Sequence, residues 1–206
     1  VEAVAIREDG SIVPTTSVGN TASFVQQAEK IIIELNLAMP LALEGLHDIY
    51  LPGDRPTRQP IPLTSVSQRI GSTAIAVDPE RIVGIVITDS ADSPSSNLPP
   101  DAETHAIARH VVDFFSAEVA AGRLTPALLP LQAGIGTIAN AVLHGLLESS
   151  FSGMTMYSEV LQDSSFELLD SGQFTFASAS SITLSAEKNR HFLDNVERYA
   201  SRLVLR

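Results

Sequence analysis

The segment from Leu131 to Asp163 constrains the fold of this chain more than any other part of the sequence. An apolar run leads into Gly134-Ile135-Gly136, a stretch with helical spacing covers 137–147, and a second short apolar run covers 154–157. This order of strand, glycine turn, helix and strand predicts two parallel strands joined by a right-handed crossover. The second apolar run is followed closely by an acidic residue, Glu159.

The rest of the chain continues the same alternation, which predicts an α/β fold. A turn at Glu8-Asp9-Gly10 predicts a β-hairpin. Two β-branched runs, 30–35 and 81–88, are typical of buried strands. The predicted strands are 3–7, 11–13, 30–35, 81–88, 128–132, 154–157 and 174–177, and the predicted helical segments are 21–28, 102–121, 137–147, 166–169 and 189–199. Residues 36–72 are rich in proline and are expected to be mostly loop.

Composition excludes several classes of function. The net charge of −11 argues against a nucleic-acid surface, and no cluster of lysine and arginine contradicts it. The absence of cysteine excludes disulfides and a thiol nucleophile. No apolar run is long enough for a membrane span, and no signal peptide is visible. The five histidines lack metal-ligand spacing, so no metal site is predicted.

A segment rich in proline, serine and aspartate, 89–101, separates the two apolar halves of the chain. This composition predicts either a domain linker or a long surface loop.

The glycine turn at residues 134–136 has two interpretations. It contains G-x-G but not the third glycine of a dinucleotide fingerprint, because Ala139 occupies that position. One interpretation is a tight turn between strand and helix with no further role. The other is a turn whose free backbone amides, at the start of a helix, hold an anion or a developing oxyanion.

Glu159 follows a short apolar strand, which is the usual place for functional side chains in α/β sheets. A carboxylate there could attack a carbonyl held by the glycine turn. Asp163 is expected to orient a loop or to cap the next turn, and Asn140 is expected to be structural. The run 13–20 would either line a substrate-carboxylate pocket or simply turn the chain. His47 and Asp48 resemble a hydrogen-bonded pair, but no G-x-S-x-G elbow supports a catalytic triad.

Six short motifs, spread over nearly the whole chain, resemble those of a known family and occur in the family's order. The motifs are VPTTSVGN (13–20), GLHDIYLP (45–52), PIPLTSVSQRIG (60–71), LPLQAGIGTIANAVLHGL (129–146), MYSEVLQD (156–163) and DSGQFTFASA (170–179). They resemble the acetyl-CoA hydrolase/transferase branch of the class I coenzyme A transferases, which includes succinyl-CoA:acetate and 4-hydroxybutyrate CoA-transferases.

The resemblance implies the class I CoA-transferase fold, α/β with two domains that are each built on a largely parallel sheet. Only parts of each domain are expected, because the chain resembles a middle fragment of the family. Residues 1–88 would end the N-terminal domain, 89–101 would form the linker, and 102–206 would begin the C-terminal domain that carries the catalytic glutamate.

The resemblance also implies which residues form the site. The glutamate of the family pattern Y-[ST]-E-V-x-Q-D is the nucleophile, and YSEVLQD places Glu159 there. The loop that approaches coenzyme A would consist of Gln132, Ala133, Gly134, Ile135 and Gly136, with amides around Ile135 facing the thioester oxygen. The segment 89–96 lacks the arginine that family members often carry, which implies a different acceptor preference.

The expected function is that of an acyl-CoA:carboxylate CoA-transferase. It would move coenzyme A between acetyl- or succinyl-CoA and a carboxylate such as acetate, through a glutamyl-CoA thioester. The alternatives are an acetyl-CoA hydrolase and a non-catalytic nucleotide- or phosphate-binding α/β module. Coenzyme A would be a substrate, with no permanently bound cofactor. The resemblance further implies a cytoplasmic homodimer (mitochondrial in a eukaryote) when full length, and a fragment that is inactive alone.

Overall fold

The computed structural model describes residues 1–95 and 100–206, which form two compact units. The first unit comprises Val1–Ser93 together with His191–Arg206, and the second comprises Pro94–Arg190. Both combine helices with parallel strands, so the predicted α/β class is confirmed. Among the described helices, none combines the length and the apolar character that a membrane crossing requires.

The sheet of the first unit begins with the predicted hairpin. Strands β1 (Glu2–Ile6) and β2 (Ile12–Pro14) pair antiparallel. The Asp9 carboxylate accepts a hydrogen bond from the Ser11 amide at 2.9 Å in the connecting turn. Gly10 adopts φ of 81° there, a conformation that glycine reaches without steric penalty.

Two further strands extend this sheet in the order β2-β1-β3-β4. Helix α1 (Thr21–Gln27) leads to β3 (Ile31–Asn36), which pairs in parallel with β1 and with β4 (Ile82–Thr88). The predicted helix and strands in this region are therefore confirmed.

The burial predicted for β4 is wrong. Its side chains are largely exposed, and Ile87 is exposed by 66%. The reason is its place in the sheet: β3 pairs with one edge of β4, and no strand among the described residues pairs with the other. An apolar run predicts a strand that could be buried, but neighbouring elements decide whether it is covered.

The long connection between β3 and β4 has little regular structure, as predicted, apart from 3-10 turns such as Leu41–Leu43. Asp48 anchors it. One carboxylate oxygen of Asp48 accepts from the amides of Ile70 and Gly71, at 2.9 and 2.7 Å, and the other pairs with the guanidinium of Arg206. Buried polar side chains thus fix a loop that apolar packing alone would leave undefined.

Two packed helices open the second unit. Helix α2 (Ala102–Ala120) starts with a capping box formed by Asp101 and Thr104. Helix α3 (Thr137–Leu147) has the predicted bounds and packs on α2. A Cβ atom built on Gly145 would lie 3.1 Å from the Cβ of Ala108, so the glycine permits the close approach of the two helices.

Two parallel strands form the core of the second unit. β5 (Met154–Leu161) and β6 (Phe174–Ile182) are joined by α4 (Asp163–Asp170), the predicted crossover arrangement. Both strands run further than predicted, because their polar residues occupy exposed positions or form hydrogen bonds. Residues 128–132 do not form the predicted strand, since only Leu131 bridges to β5, in parallel with Met156.

The chain ends with α5 (Ala186–Asp194), α6 (Val196–Tyr199) and β7 (Leu203–Leu205). The helix predicted for 189–199 therefore breaks at Asn195, and β7 was not predicted. β7 belongs to the first unit, where Leu205 exchanges backbone hydrogen bonds with Leu46 and Asp48.

The division into two units bears on the predicted domains. The boundary after Ser93 lies inside the predicted linker 89–101, of which residues 96–99 lie outside the described residues. The predicted second part, 102–206, differs from the second unit at its end, because His191–Arg206 joins the first unit. The assignment of these parts to two family domains stays a prediction.

Candidate active site

A groove of about 560 Å³ opens where the glycine turn meets the first turns of α3. All five residues predicted to approach coenzyme A line it, from Gln132 to Gly136. Most of its other walls are apolar side chains. The full lining is Phe115 of α2, residues 131–139, and Val142, Leu143 and Leu146 of α3.

Gly136 sets the shape of the turn. It is the N-cap residue of α3 and adopts φ of 138°, a backbone conformation that side chains with a Cβ rarely adopt. An added Cβ would meet no atom within 4 Å, so the requirement for glycine here is conformational and not steric. Gly134 has no positive φ and no close neighbour, and nothing in the structure explains its choice over alanine.

The backbone amides of the turn are available to a ligand. Neither Gly134 nor Ile135 donates its N–H to another described residue. No side chain caps the N-terminus of α3, and that terminus carries the positive end of the helix dipole. Free amides at a helix N-terminus favour a negative charge, so the turn suits an anion or an oxyanion.

Glu159 lies on β5, two residues before the end of the strand. Its side chain is exposed, and its backbone carbonyl accepts a hydrogen bond from the Ser180 hydroxyl at 2.8 Å. Glu159 is not among the residues that line the groove. The predicted direction of the Ile135 amide, towards the Glu159 carboxyl region, stays a prediction.

Two side chains, from Ser158 on β5 and from Gln162 just beyond it, reach the glycine turn. The Ser158 hydroxyl donates to the carbonyl of Ala133 at 2.9 Å, and the Gln162 amide donates to the carbonyl of Gly134 at 3.2 Å. Both side chains are buried. Neither was predicted from the sequence, although a polar residue between apolar ones on the inner face of a strand, such as Ser158, is a visible signal.

The remaining candidates have structural contacts. Asp163 orients a loop, since its carboxylate accepts from the Ser185 amide at 2.9 Å. The Asn140 amide N–H bonds to the Gly136 carbonyl at 3.0 Å within the first turn of α3, while its side-chain oxygen is buried without a partner among the described residues.

His47 and Asp48 do not form the pair that their adjacency suggested. The Nε2 atom of His47 lies 2.9 Å from the carbonyl of Thr15, and Asp48 holds the loop contacts described above. Burial lowers the pKa of His47 below its ordinary value and so favours the neutral ring, and Nε2 is the donor because its partner is a carbonyl oxygen. No group of three histidine, aspartate or glutamate side chains within 1–95 and 100–206 is arranged to hold a metal ion.

The run 13–20 is anchored by polar contacts within the first unit. The Thr15 hydroxyl donates to Glu2 at 2.9 Å, and the Thr16 hydroxyl donates to Asp92 at 3.0 Å. Burial, with Glu2 nearby, raises the pKa of Asp92. These contacts explain how the chain turns here, and the predicted role of the run in a carboxylate pocket stays a prediction.

Comparison with known proteins agrees with the resemblance. Residues 1–87 match the acetyl-CoA hydrolase/transferase N-terminal domain. Over all 206 residues the chain is 49% identical to the acetyl-CoA hydrolase of Kluyveromyces lactis and 47% identical to that of Candida albicans. It spans 39% of the length of each of these relatives.

Solved structures with a similar fold are more distant in sequence. The 4-hydroxybutyrate CoA-transferase of Porphyromonas gingivalis superposes with a TM-score of 0.61 at 17% identity, over 95% of this chain and 41% of that chain. A putative citrate lyase alpha subunit from Streptococcus mutans superposes with a TM-score of 0.54 at 13% identity, over 99% of this chain and 36% of that chain. The sequence comparisons thus relate this chain to the acetyl-CoA hydrolase/transferase family, whose N-terminal domain matches residues 1–87, and the solved structures show a similar fold.

Proposed function

We propose that the full-length protein hydrolyses acetyl-CoA, with Glu159 as the nucleophile and the amides of the glycine turn as oxyanion donors. The observation that carries the proposal is the turn itself: its amides at Gly134 and Ile135 have no acceptor among the described residues, and the side chains of Ser158 and Gln162 hold its carbonyls. The name acetyl-CoA hydrolase, borne by relatives at 46 to 49% identity, supports hydrolysis.

The chemistry follows from a carboxylate beside a thioester. The Glu159 carboxylate attacks the acyl carbonyl and the C–S bond breaks, which leaves a mixed anhydride and the thiolate of coenzyme A. The thiolate then attacks the glutamyl carbonyl of the anhydride, which releases acetate and forms a glutamyl-CoA thioester. Water attacks that thioester and restores the Glu159 carboxylate with release of coenzyme A and one proton.

The groove suits the uncharged parts of such a substrate. Its walls are mostly apolar side chains, as expected for a site that takes up a pantetheine arm or a short acyl group. The unbonded amides of the turn would face the oxygen on which charge develops in each tetrahedral step. Removing one such donor from an oxyanion hole lowers kcat by about a hundredfold to a thousandfold.

Transfer to a carboxylate is the second candidate function. The six motifs that resemble CoA-transferases, including YSEVLQD at 157–163, favour transfer. An acceptor carboxylate would attack the glutamyl-CoA thioester in place of water, giving a new mixed anhydride and the thiolate. The thiolate would then attack the acceptor carbonyl, so the thioester bond is conserved in the acceptor's CoA ester.

Product analysis with the purified full-length protein tests both candidates. Acetyl-CoA is supplied alone, or together with isotopically labelled acetate. Hydrolysis releases stoichiometric free coenzyme A in both cases, whereas transfer incorporates label into acetyl-CoA and releases little free coenzyme A. The absence of both reactions would overturn the proposal.

Variants then test the role of Glu159. Glu159→Ala is expected to lower kcat to below about 10⁻³ of the original value, because no other group replaces the nucleophile. Glu167→Ala is the matched control, since Glu167 forms a partly exposed ion pair with Lys188 at 3.2 Å on the same unit. Full activity of Glu159→Ala would exclude the mechanism.

A further inference from the structure

The segment that enters the glycine turn is joined to β5 by a ladder of hydrogen bonds. The ladder begins as backbone pairing and continues through side chains where the backbones diverge. Its rungs run from Leu131 N to Thr155 O at 2.9 Å, Tyr157 N to Leu131 O at 2.9 Å, Ser158 Oγ to Ala133 O at 2.9 Å, and Gln162 Nε2 to Gly134 O at 3.2 Å. The register of the turn along β5 is thereby fixed.

The two side-chain rungs come from one face of the extended backbone. Successive side chains of a strand point to opposite faces, so Ser158 and Gln162 share a face and Glu159 lies on the other. Burial agrees with this alternation: Ser158 is 7% exposed, Gln162 is 3% exposed, and Glu159 is exposed. Gln162 continues the extended conformation just beyond the strand, with φ of −115° and ψ of 177°.

The rungs also fix the direction of two peptide planes. A trans peptide is planar, and its N–H points away from its C=O. Holding the carbonyl of Ala133 towards the Ser158 face therefore turns the Gly134 N–H away from that face. Holding the carbonyl of Gly134 turns the Ile135 N–H in the same way. Neither of these amides has an acceptor among the described residues.

We propose that Ser158 and Gln162 are positioning residues that turn the Gly134 and Ile135 amides away from the buried face of β5, so that both amides are free to face a bound thioester. The inference rests on the proposed function, because the amides are oriented for an oxyanion only if a thioester is cleaved there. Neither side chain touches the reacting atoms. Each acts by holding a carbonyl, which preorganises the donors before the substrate binds.

Near-isosteric variants of the full-length enzyme test this role. Valine and threonine side chains have nearly the same shape, so Ser158→Val and Ser158→Thr differ mainly in that only threonine retains the hydroxyl. Ser158→Val is expected to lower kcat for acetyl-CoA by about tenfold to a hundredfold, a partial loss of the oxyanion donors, with KM changed less than about threefold. Ser158→Thr is expected to restore most of kcat. Gln162→Met, which keeps length but removes the donor, is expected to lower kcat similarly.

Gln173→Met is the matched control for a merely structural amide. The Gln173 side chain also donates to backbone carbonyls of the second unit, those of Leu146, Ser149 and Phe151, but none belongs to the glycine turn. This variant is expected to lower Tm while kcat of the folded enzyme stays within about twofold. If Ser158 and Gln162 were merely structural as well, their variants would also lower Tm and leave kcat nearly unchanged.

The outcomes separate the two proposals. Loss of kcat in Ser158→Val with rescue in Ser158→Thr supports the positioning role. If the original enzyme is active and Ser158→Val and Gln162→Met keep its kcat, the positioning role is wrong and the proposed function stands. The same holds if these variants lose activity only because KM rises or Tm falls. An original enzyme that cleaves no acyl-CoA overturns the proposed function and this inference together.

Discussion

Strands β4 and β5 were both predicted from apolar runs, yet they have opposite surroundings. β4 pairs with β3 along one edge, and its side chains at Val83, Ile85, Val86 and Ile87 are exposed. β5 pairs with β6 along one edge and with the Leu131 segment at the other, and its inner face is buried. The apolar pattern thus specifies a strand, while its neighbours decide whether that strand forms core or surface.

The difference matters for the candidate site because a catalytic side chain needs a rigid support. Glu159 stands on the strand that is held along both edges. The first unit instead fixes its long loops by buried polar side chains, of which Asp48 is the clearest case. The buried side chains of β5 and the polar anchor at Asp48 predict different responses to substitution.

The largest effect is expected at the polar anchor. Asp48→Ala in this chain removes the acceptor of two backbone amides and leaves the Arg206 guanidinium without its buried carboxylate. Breaking a buried pair in this way lowers the free energy of unfolding by about 3–5 kcal/mol. Urea denaturation measures it, with the exposed Asp54→Ala as control. Equal, small effects of both variants would show that Asp48 does not anchor the loop.

The two strands themselves can be compared by a pair of truncations. Met156→Ala in β5 removes a fully buried side chain and is expected to lower the free energy of unfolding by about 2–5 kcal/mol. Ile87→Ala in β4 removes a side chain that is 66% exposed and is expected to lower it by less than about 1 kcal/mol. Similar decreases in the free energy of unfolding at both positions, measured by denaturation of this chain, would contradict the contrast between buried β5 and exposed β4.

These contrasts show what the sequence could predict. The glycine turn and helix 137–147 were predictable because they depend on local preferences, and the helix has the predicted bounds, whereas the strand predicted at 128–132 does not form. The exposure of β4 was not predictable, since it depends on which strands pair with it. The tethers from Ser158 and Gln162 were missed because they are contacts between residues far apart in the chain, visible only once β5 and the turn lie side by side.

A pH dependence is expected from the first unit. Burial, with Arg69 and Arg7 nearby, lowers the pKa of His47 from its ordinary 6.5, so the unfolded chain binds a proton at higher pH than the folded one. Stability is therefore full above about pH 6.5 and falls below it, by at most about 1.4 kcal/mol per pH unit.

Denaturation between pH 7 and 5.5 measures this slope. His47→Gln is expected to flatten the slope, whereas the exposed His110→Gln is expected to leave it unchanged. If the slope persists in His47→Gln, titratable groups other than His47 cause it.

The smallest effect is expected at Asp92. Burial raises the pKa of Asp92, so its charged form destabilises the folded chain at neutral pH and the destabilisation fades as pH falls. Asp92→Asn keeps an acceptor for the Thr16 hydroxyl and removes the charge near Glu2. The free energy of unfolding should rise by a few tenths of a kcal/mol, about the size of an ordinary surface substitution, at pH 7 and not at pH 4. A decrease at pH 7 would contradict this account.

The mass of the full-length enzyme after incubation with acetyl-CoA, without a carboxylate acceptor, tests the central claim most directly. If Glu159 is the nucleophile, rapid quenching should trap protein heavier by coenzyme A less one water, and peptide mapping should place the adduct on Glu159. Borohydride should then inactivate the enzyme by reducing the activated glutamyl carbonyl, and Glu159→Ala should show neither effect. An adduct on another residue, or one that persists in Glu159→Ala, would contradict the account.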